Sequence, residues 1–170
     1  MATTKAQSND IFADELKSER EEIVELLIQA YWMEMETVMN YVANSTNPDG
    51  VRASEIVESL AEDVDEELGH AKLFAERIKE LYGVVPGSMS FGPSQAELQP
   101  PKTQTDIVHV IKGVIAAESG AIQHYGRIIE ITDSVDPVTQ DMVIDVLRDE
   151  QGHRRLFEGF LREYEAEGRG

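Results

Sequence analysis

A short pattern of glutamate and histidine that could bind metal occurs twice in this chain. In each occurrence a glutamate is followed three residues later by a histidine, and another glutamate precedes the pair at nearly the same distance. The six residues are Glu34, Glu67 and His70 in the first half and Glu118, Glu150 and His153 in the second. Four carboxylates and two imidazoles suit two metal ions, and this mixture of donors fits iron or manganese better than magnesium or structural zinc.

The duplication extends beyond these six ligand candidates, which indicates two similar halves. Residues 66–74 align with residues 149–157, and Tyr41 and Tyr125 each follow the first glutamate of their half by seven residues. Seven residues are two helical turns, so each tyrosine shares a helix face with its glutamate. Two interpretations of the tyrosines stay open: redox-active or supporting groups beside the metals, or ordinary core aromatics.

The elements that would position these residues are four long helices. Apolar residues recur at steps of three and four in four segments, and each segment includes ligand candidates in mid-stripe. Residues 1–20 are polar and predict an N-terminal arm, whereas residues 21–166 predict the folded domain. A stretch rich in proline and glycine, at about 83–105, cannot be regular helix and predicts a long crossover. The fold class is therefore all-α: a four-helix bundle of two antiparallel hairpins.

Burial explains why the four glutamates should bind cations. An unpaired carboxylate in an apolar stripe would cost roughly several kcal/mol, and two divalent ions would balance four such charges. The spacing of three residues places each histidine almost over its glutamate on the helix. The alternative is that these are solvated glutamates and ordinary core histidines. Glu36 lies about 200° around the helix from Glu34 and is expected on the surface.

Several residues near the ligand candidates carry weaker expectations. Glu66 and Asp149 either accept a hydrogen bond from the histidine of the opposite half or are plain exposed acids. Gly69 and Gly152 lie inside helices and predict close approach by a neighbouring group. His109 and His124 are not expected to be ligands. The methionines of the first helix, Met33, Met35 and Met39, indicate core filling or subunit contact rather than haem ligation.

Composition narrows the class of protein. The chain has 170 residues, 41% apolar and 28% charged, which fits one globular domain. It has no cysteine, which excludes disulfides, thiolate zinc sites and iron–sulfur clusters. A net charge of −18 disfavours binding to nucleic acid or anionic lipid, although it also serves solubility. No signal peptide or membrane span is recognisable, so a cytoplasmic protein without a membrane partner is expected.

Over roughly residues 20 to 165, these motifs resemble the ferritin-like superfamily of di-iron carboxylate proteins, with bacterioferritin and rubrerythrin as the most similar branches. The resemblance implies a ferritin-like four-helix bundle with two iron ions per chain. It implies that Glu67 and Glu150 bridge the irons, that the two upstream glutamates bind terminally, and that each histidine binds one iron. Manganese is the alternative metal.

Departures from the family pattern narrow this expectation. Bacterioferritins have a haem-ligating methionine directly after the second-helix glutamate, where this chain has Leu68, so haem is not expected. Rubrerythrins have an additional glutamate where this chain has Ala121, together with a cysteine-rich segment. The residues after His153 complete the fourth helix, so a shell of 24 subunits is not expected. DNA-protecting mini-ferritins, which build iron sites between subunits, are expected to fit less well.

The resulting functional prediction is a non-haem di-iron protein that oxidises Fe(II) with dioxygen or hydrogen peroxide. Such a ferroxidase or peroxidase-type oxidoreductase would serve iron handling and protection against oxidative stress. The expected partners are iron, the oxidant and further copies of the chain, as a dimer or larger assembly. Two alternatives remain: a di-metal oxidase or oxygenase acting on an organic substrate, and an iron-binding protein without catalysis.

Overall fold

Four long helices form the protein in the computed structural model, which describes residues 10–168. They are α1 (Lys17–Thr46), α2 (Ser54–Glu80), α3 (Ile107–Thr132) and α4 (Pro137–Glu167), and the described residues contain no strand. The helices α1 and α2 pack as one hairpin and α3 and α4 as the other. This confirms the predicted all-α bundle of two hairpins joined by a crossover. No helix within residues 10–168 is long and apolar enough to cross a membrane.

The segment predicted as an N-terminal arm divides into two parts. Residues 1–9 lie outside the described residues. A short 3-10 helix at Asp14–Leu16 leads directly into α1, which begins earlier than the predicted start of the bundle at residue 21. Ile11 is buried in the core, and Arg20 Nη1 donates a hydrogen bond of 2.8 Å to the Ile11 carbonyl oxygen. Residues 11–20 therefore pack on the bundle.

Two apolar clusters lie on either side of the ligand candidates along the bundle. One contains Leu27, Phe74 and Tyr125, and the other contains Tyr41 and residues from the opposite ends of the helices, including Ile56, Ile111 and Phe157. In every helix the ligand candidates fall in sequence between the contributions to these two clusters. The site is therefore a polar layer between two apolar ones, where water is largely excluded.

A buried arginine joins the two helices that carry the glutamate–histidine pairs. Arg77, near the end of α2, donates from Nη2 to both oxygens of Asp136 at 2.9 and 3.0 Å, and from Nε to Thr139 Oγ1 at 2.8 Å. Asp136 also caps α4, because its side chain accepts from the Thr139 amide at 3.1 Å. The α2 and α4 helices are thereby held in register at one end.

The crossover covers the side of α1 that faces away from the ligand candidates. Glu36 was expected on the surface, and this prediction is wrong: the residue is only 3% exposed. Its carboxylate accepts hydrogen bonds of 2.9 to 3.0 Å from the amides of Ser94 and Gln95 and from Ser94 Oγ. Glu36 points away from Glu34 as the helical period predicts, but the crossover passes over it and satisfies its charge.

Candidate metal centre

The six ligand candidates meet in the middle of the bundle as two overlapping groups. The first group is Glu34, Glu67, His70 and Glu150, and the second is Glu67, Glu118, Glu150 and His153. Within each group, one donor atom per residue lies within 4.8 Å of all the others. Glu67 and Glu150 belong to both groups, so the two glutamates that the family resemblance assigns as bridging are the two that the groups share.

The shared carboxylates present one oxygen to each histidine. His70 Nδ1 lies 3.7 Å from Glu67 Oε2 and 3.2 Å from Glu150 Oε1. His153 Nδ1 lies 3.3 Å from Glu67 Oε1 and 3.4 Å from Glu150 Oε2. Two ligand atoms about 2.1 Å from one ion, at a right angle, are about 3.0 Å apart. The arrangement is therefore close to two coordination shells that share two carboxylates.

Unpaired buried donors test whether these residues fit a metal pair. All four glutamates are buried, so they are not solvated surface residues. Among the described residues, no hydrogen bond of good geometry reaches Glu34 Oε1, either oxygen of Glu67 and Glu150, or Nδ1 of either histidine, although the two Nδ1 atoms lie 3.2 to 3.7 Å from oxygens of Glu67 and Glu150. Native proteins rarely leave buried polar atoms unpaired. Oxygen and imidazole donors that converge without partners fit divalent cations of the iron or manganese type.

Without metal, protons would balance the charge of the cluster. Burial, together with the nearby carboxylates Glu67 and Glu150, raises the pKa of both Glu34 and Glu118 well above the usual value. Burial alone would lower the pKa of the two histidines, but the same two carboxylates raise it to about 10 for His70 and, with Glu118 contributing, about 12 for His153.

Glu67 shows the opposite shift. Burial disfavours its charge, but the neighbouring His153 and His70 lower its pKa to about 2. The metal-free cluster therefore places protonated histidines beside a charged Glu67 and favours the protonated form of Glu34 and Glu118.

Each histidine meets an acid of the opposite half at its outer nitrogen. His70 Nε2 lies 3.5 Å from Asp149 Oδ2, and His153 Nε2 lies 3.5 Å from Glu66 Oε2. The sequence left open whether these acids accept a hydrogen bond from the opposite histidine or are plain exposed acids; both lie at the outer limit of hydrogen-bond distance, and both are partly exposed. Asp63 Oδ1 is 4.0 Å from His153 Nε2, a neighbour that the sequence reasoning missed. Its spacing of four residues before Glu67 was the available signal.

We expect the substitution Asp149→Asn to weaken the binding of one metal ion by about tenfold, the lower end of the range for groups that orient a ligand histidine. The amide keeps the size of the side chain but removes the negative charge of Asp149. That charge favours a proton on His70 Nε2, so that Nδ1 carries no proton and can bind metal. Asp145→Asn, one turn earlier on α4 and paired at the surface with Arg148, is the matched control. Equal Mn(II) affinities of the two variants by calorimetry would contradict the orienting role.

The two tyrosines are both fully buried but differ in their contacts. Tyr41 donates a hydrogen bond of 2.5 Å to Glu118 Oε1. Burial and the Glu118 carboxylate raise the pKa of Tyr41 well above its usual value, so the phenol keeps the proton that it donates. The hydroxyl of Tyr125 has no hydrogen-bond partner among the described residues, and its ring lies 5.4 Å from that of Phe74.

The other sequence candidates lie outside the cluster. His109 Nε2 is 2.9 Å from the Gln99 carbonyl oxygen, and His124 Nε2 is 2.8 Å from that of Leu26, so neither is a ligand candidate. Gly69 and Gly152 were predicted to lie close to a neighbouring group, and this prediction is wrong for neighbours within the same chain. A Cβ atom added at either position would have no atom within 4 Å. Both glycines lie on the outward side of their helices, about 200° from the inward ligand two residues before.

This combination of fold and site defines a class: helical bundles that hold a carboxylate–histidine cluster between two hairpins. The chain belongs to the ferritin family, because the family model described as a ferritin-like domain matches residues 24–166. The predicted superfamily is thereby confirmed.

Relatives from several organisms are similar to this chain. A DNA protection during starvation protein of Pyrococcus furiosus is 28% identical over 144 residues, covering 83% of this chain and 77% of the relative. A dodecameric thioferritin, the bacterioferritin-related protein of Bacteroides fragilis, superposes with a TM-score of 0.77 and 23% identity over 92% of this chain and 98% of the other.

The bacterioferritin of Desulfovibrio desulfuricans, described with a diiron site, superposes with a TM-score of 0.71 and 21% identity over 88% of this chain and 84% of the other. The relatives thus include a protein named for DNA protection, the branch that the sequence predicts to fit less well. The bacterioferritin branch and the DNA-protection branch share the family fold.

Proposed function

We propose that the chain binds two iron ions at the six-residue cluster and oxidises Fe(II) with dioxygen or hydrogen peroxide. The observation that supports this most strongly is the pair of overlapping ligand groups, with Glu67 and Glu150 common to both and their oxygens buried without partners. Relatives described with a diiron site support iron over manganese. Haem is not part of the proposal, because Leu68 stands where bacterioferritins have their haem-ligating methionine.

The proposed chemistry is a balanced transfer of two electrons. Each of two Fe(II) ions loses one electron to become Fe(III). Hydrogen peroxide accepts both electrons with two protons and becomes two molecules of water, or dioxygen accepts them with two protons and becomes hydrogen peroxide. Iron supplies the electrons as the substrate of the reaction, and the protein supplies a site where one oxidant can reach two ions.

The residues of the chain would contribute position and a dry environment. Glu67 and Glu150 would hold the two ions close together, while Glu34 and Glu118 would each bind one of them. Tyr41 would orient Glu118 through its hydrogen bond. The apolar clusters above and below the polar layer keep bulk water from the donors, which strengthens the electrostatic interactions of the site.

Anaerobic titration with Fe(II), followed by separate stopped-flow mixing with dioxygen and with hydrogen peroxide, tests the proposal. Two ions per chain and oxidation much faster than in protein-free buffer are expected with at least one oxidant. Binding without faster oxidation would instead support the iron-binding protein without catalysis. A slow reaction that an added organic reductant accelerates, with consumption of that compound, would support the oxidase or oxygenase alternative.

We expect metal binding to release protons, because imidazole and carboxylate ligands bind in their unprotonated forms. The raised pKa values of Glu34, Glu118, His70 and His153 mean that protons compete with metal at neutral pH, so affinity should rise with pH. Each displaced proton changes the apparent affinity by about tenfold per pH unit. Calorimetry with Mn(II) in two buffers of different ionisation enthalpy measures the release.

The variant Glu118→Gln provides the control for this measurement, because it should release fewer protons than the wild type. Absence of proton release from the wild-type protein would show that the ligands are already unprotonated and would contradict the charge distribution described above.

The two tyrosines can be separated by their phenylalanine variants. Tyr41→Phe removes the hydrogen bond to Glu118, which is worth about 1.5–3 kcal/mol when Glu118 binds metal as a carboxylate, and should slow Fe(II) oxidation and weaken metal binding together. Tyr125→Phe removes an unpaired buried hydroxyl, so its stability should be equal or higher. If Tyr125→Phe nevertheless slows oxidation with unchanged Mn(II) affinity, Tyr125 takes part in the chemistry. An unchanged rate of Fe(II) oxidation would show that Tyr125 is an ordinary core aromatic.

Binding of DNA is not part of this proposal, although one relative is named for DNA protection. The net charge of −18 would repel the phosphate backbone, whose recognition needs clustered lysine and arginine. Retention of duplex DNA at low ionic strength, measured by gel shift, would contradict this part of the proposal.

A further inference from the structure

One face of α4 carries arginines and glycines in alternation, with an arginine at every seventh residue. The members of this arginine–glycine face are Arg148, Gly152, Arg155, Gly159 and Arg162. Steps of three and four residues place all of them on the same side of the helix. Arg155 follows the ligand candidate His153 by two residues, about 200° around the helix. The arginine–glycine face therefore points away from the candidate metal centre.

Two of these arginines converge above Gly159. A Cβ atom at this glycine would lie 3.7 Å from Arg155 Nη1 and 4.0 Å from Arg162 Nη2. The two side chains start two helical turns apart and reach toward each other, which leaves their nearest ends at most about 8 Å apart. The missing side chain of the glycine leaves the place between them open.

Neither guanidinium group above Gly159 forms a hydrogen bond or ion pair within residues 10–168. The acids that helical spacing offers to them are engaged elsewhere. Glu158 Oε1 lies 3.6 Å from Arg154 Nε, and Glu165 Oε1 lies 3.7 Å from Lys112 Nζ. Two converging positive charges repel each other, so an anion placed between them would stabilise the arrangement.

The same spacing around Gly152 gives a different arrangement. Arg148 Nη2 donates a hydrogen bond of 2.7 Å to Asp145 Oδ1, and a Cβ atom at Gly152 would have no atom within 4 Å. The convergence above Gly159 is therefore a property of that position and does not follow from the spacing of arginine and glycine alone. Gly152 and Arg148 provide an internal comparison on the same helix.

We propose that Arg155 and Arg162 bind inorganic phosphate in the open place above Gly159. Guanidinium groups stay charged at neutral pH, and their forked donors match the oxygens of phosphate. A free phosphate ion fits this exposed helix surface better than a nucleotide, whose sugar and base would need a pocket. The net charge of −18 weakens the attraction of any anion, so we expect a dissociation constant on the order of 1 mM.

³¹P NMR of inorganic phosphate, with the metal-free full chain, tests the arginines. Phosphate that exchanges on and off a protein has a broadened line, and removal of metal prevents binding of phosphate by iron. The wild type should give saturable broadening, and Arg162→Gln should weaken binding about tenfold or more through loss of a charge-assisted contact. Arg148→Gln makes the same change on the same face and should bind as the wild type does. Absence of saturable broadening with the wild type, or equal weakening by both variants, would overturn the proposal.

A pair of glycine variants tests the place between the arginines. Gly159→Leu fills it and should abolish the broadening, whereas Gly152→Leu, an equal change one helix face position away from the converging pair, should keep it. Leucine favours helix over glycine, and circular dichroism establishes that both variants fold. Wild-type binding by Gly159→Leu would overturn the location of the site. Competition by adenosine monophosphate distinguishes the source of the phosphate, because displacement much stronger than by phosphate itself would overturn the assignment to the free ion.

Discussion

Replacing either shared glutamate, by Glu67→Ala or Glu150→Ala, is expected to abolish binding of the metal pair. Each residue supplies an oxygen to both ligand groups, so one substitution removes a donor from both ions. Removing one partner from a buried set of paired charges costs roughly 3–5 kcal/mol, which corresponds to a loss of affinity of about a hundredfold to several thousandfold. Anaerobic Fe(II) titration should then show no tight binding of a second ion.

The upstream glutamates should behave differently from the shared ones. Glu34→Ala and Glu118→Ala each remove a donor from one group only, so the other ion should retain its affinity. Glu36→Gln, also a buried glutamate on α1 but bonded to the crossover, should still bind two ions. Tight binding of two irons by Glu67→Ala or Glu150→Ala would show that the assignment of shared ligands is wrong. Equal effects of all four alanine variants would show that the groups do not overlap.

The ligand set could be predicted from the sequence because it depends on local periodicity. A glutamate and a histidine three residues apart share a face of any helix, and the duplication repeated the signal with the same spacing. The approach of Asp149 to His70 across the halves was one of two alternatives that the sequence offered for Asp149, and the two side chains lie 3.5 Å apart. These predictions needed no knowledge of the loops.

The predictions that were wrong concern contacts with other parts of the chain, which the spacing of residues along one helix does not determine. Glu36 was expected on the surface because α1 alone presents it outward, but the path of the irregular crossover buries it. Gly69 and Gly152 were expected to meet a close neighbour, but no group of the chain approaches them. The contacts of a loop and the space outside a helix are tertiary properties, which local spacing does not determine.

The difference between the tyrosines is also tertiary. Tyr41 and Tyr125 have equivalent positions in the two halves and equal burial, so the sequence treats them alike. The structure gives a hydrogen bond to Tyr41 and leaves the hydroxyl of Tyr125 without a partner among the described residues. An approximate two-fold repeat in sequence therefore does not require identical contacts, and the unpaired member is the one whose substitution tests chemistry without disturbing stability.

Metal binding is expected to raise the thermal stability of the bundle by about 10–20 °C. Each ion present at a hundredfold excess over its dissociation constant stabilises the folded state by about 2.7 kcal/mol, and 1 kcal/mol shifts the melting temperature of a chain this size by about 2–4 °C. Removal of the metal with a chelator should reverse the shift. Differential scanning calorimetry under anaerobic conditions, with Fe(II) or Mn(II), measures it.

The stabilisation by metal should grow as the pH rises from about 6 to about 9. Glu34 and Glu118 have raised pKa values, so the metal-free bundle loses stability as pH rises above the pKa of an unfolded glutamate. His70 and His153 also have raised pKa values, and the stability from their protonated forms is lost as pH rises through those values. Glu67, with a lowered pKa of about 2, stays charged in both states across this range and contributes no change.

The metal-bound bundle should respond in the opposite direction, because its ligands bind unprotonated and face less competition at high pH. A double variant, Glu34→Gln with Glu118→Gln, separates the two effects. Without metal it should melt at a higher temperature than the wild type, since two buried carboxyl groups with raised pKa values are gone. With metal it should gain much less than the wild type. A double variant that is less stable in both states would show that these glutamates support the fold rather than a metal site.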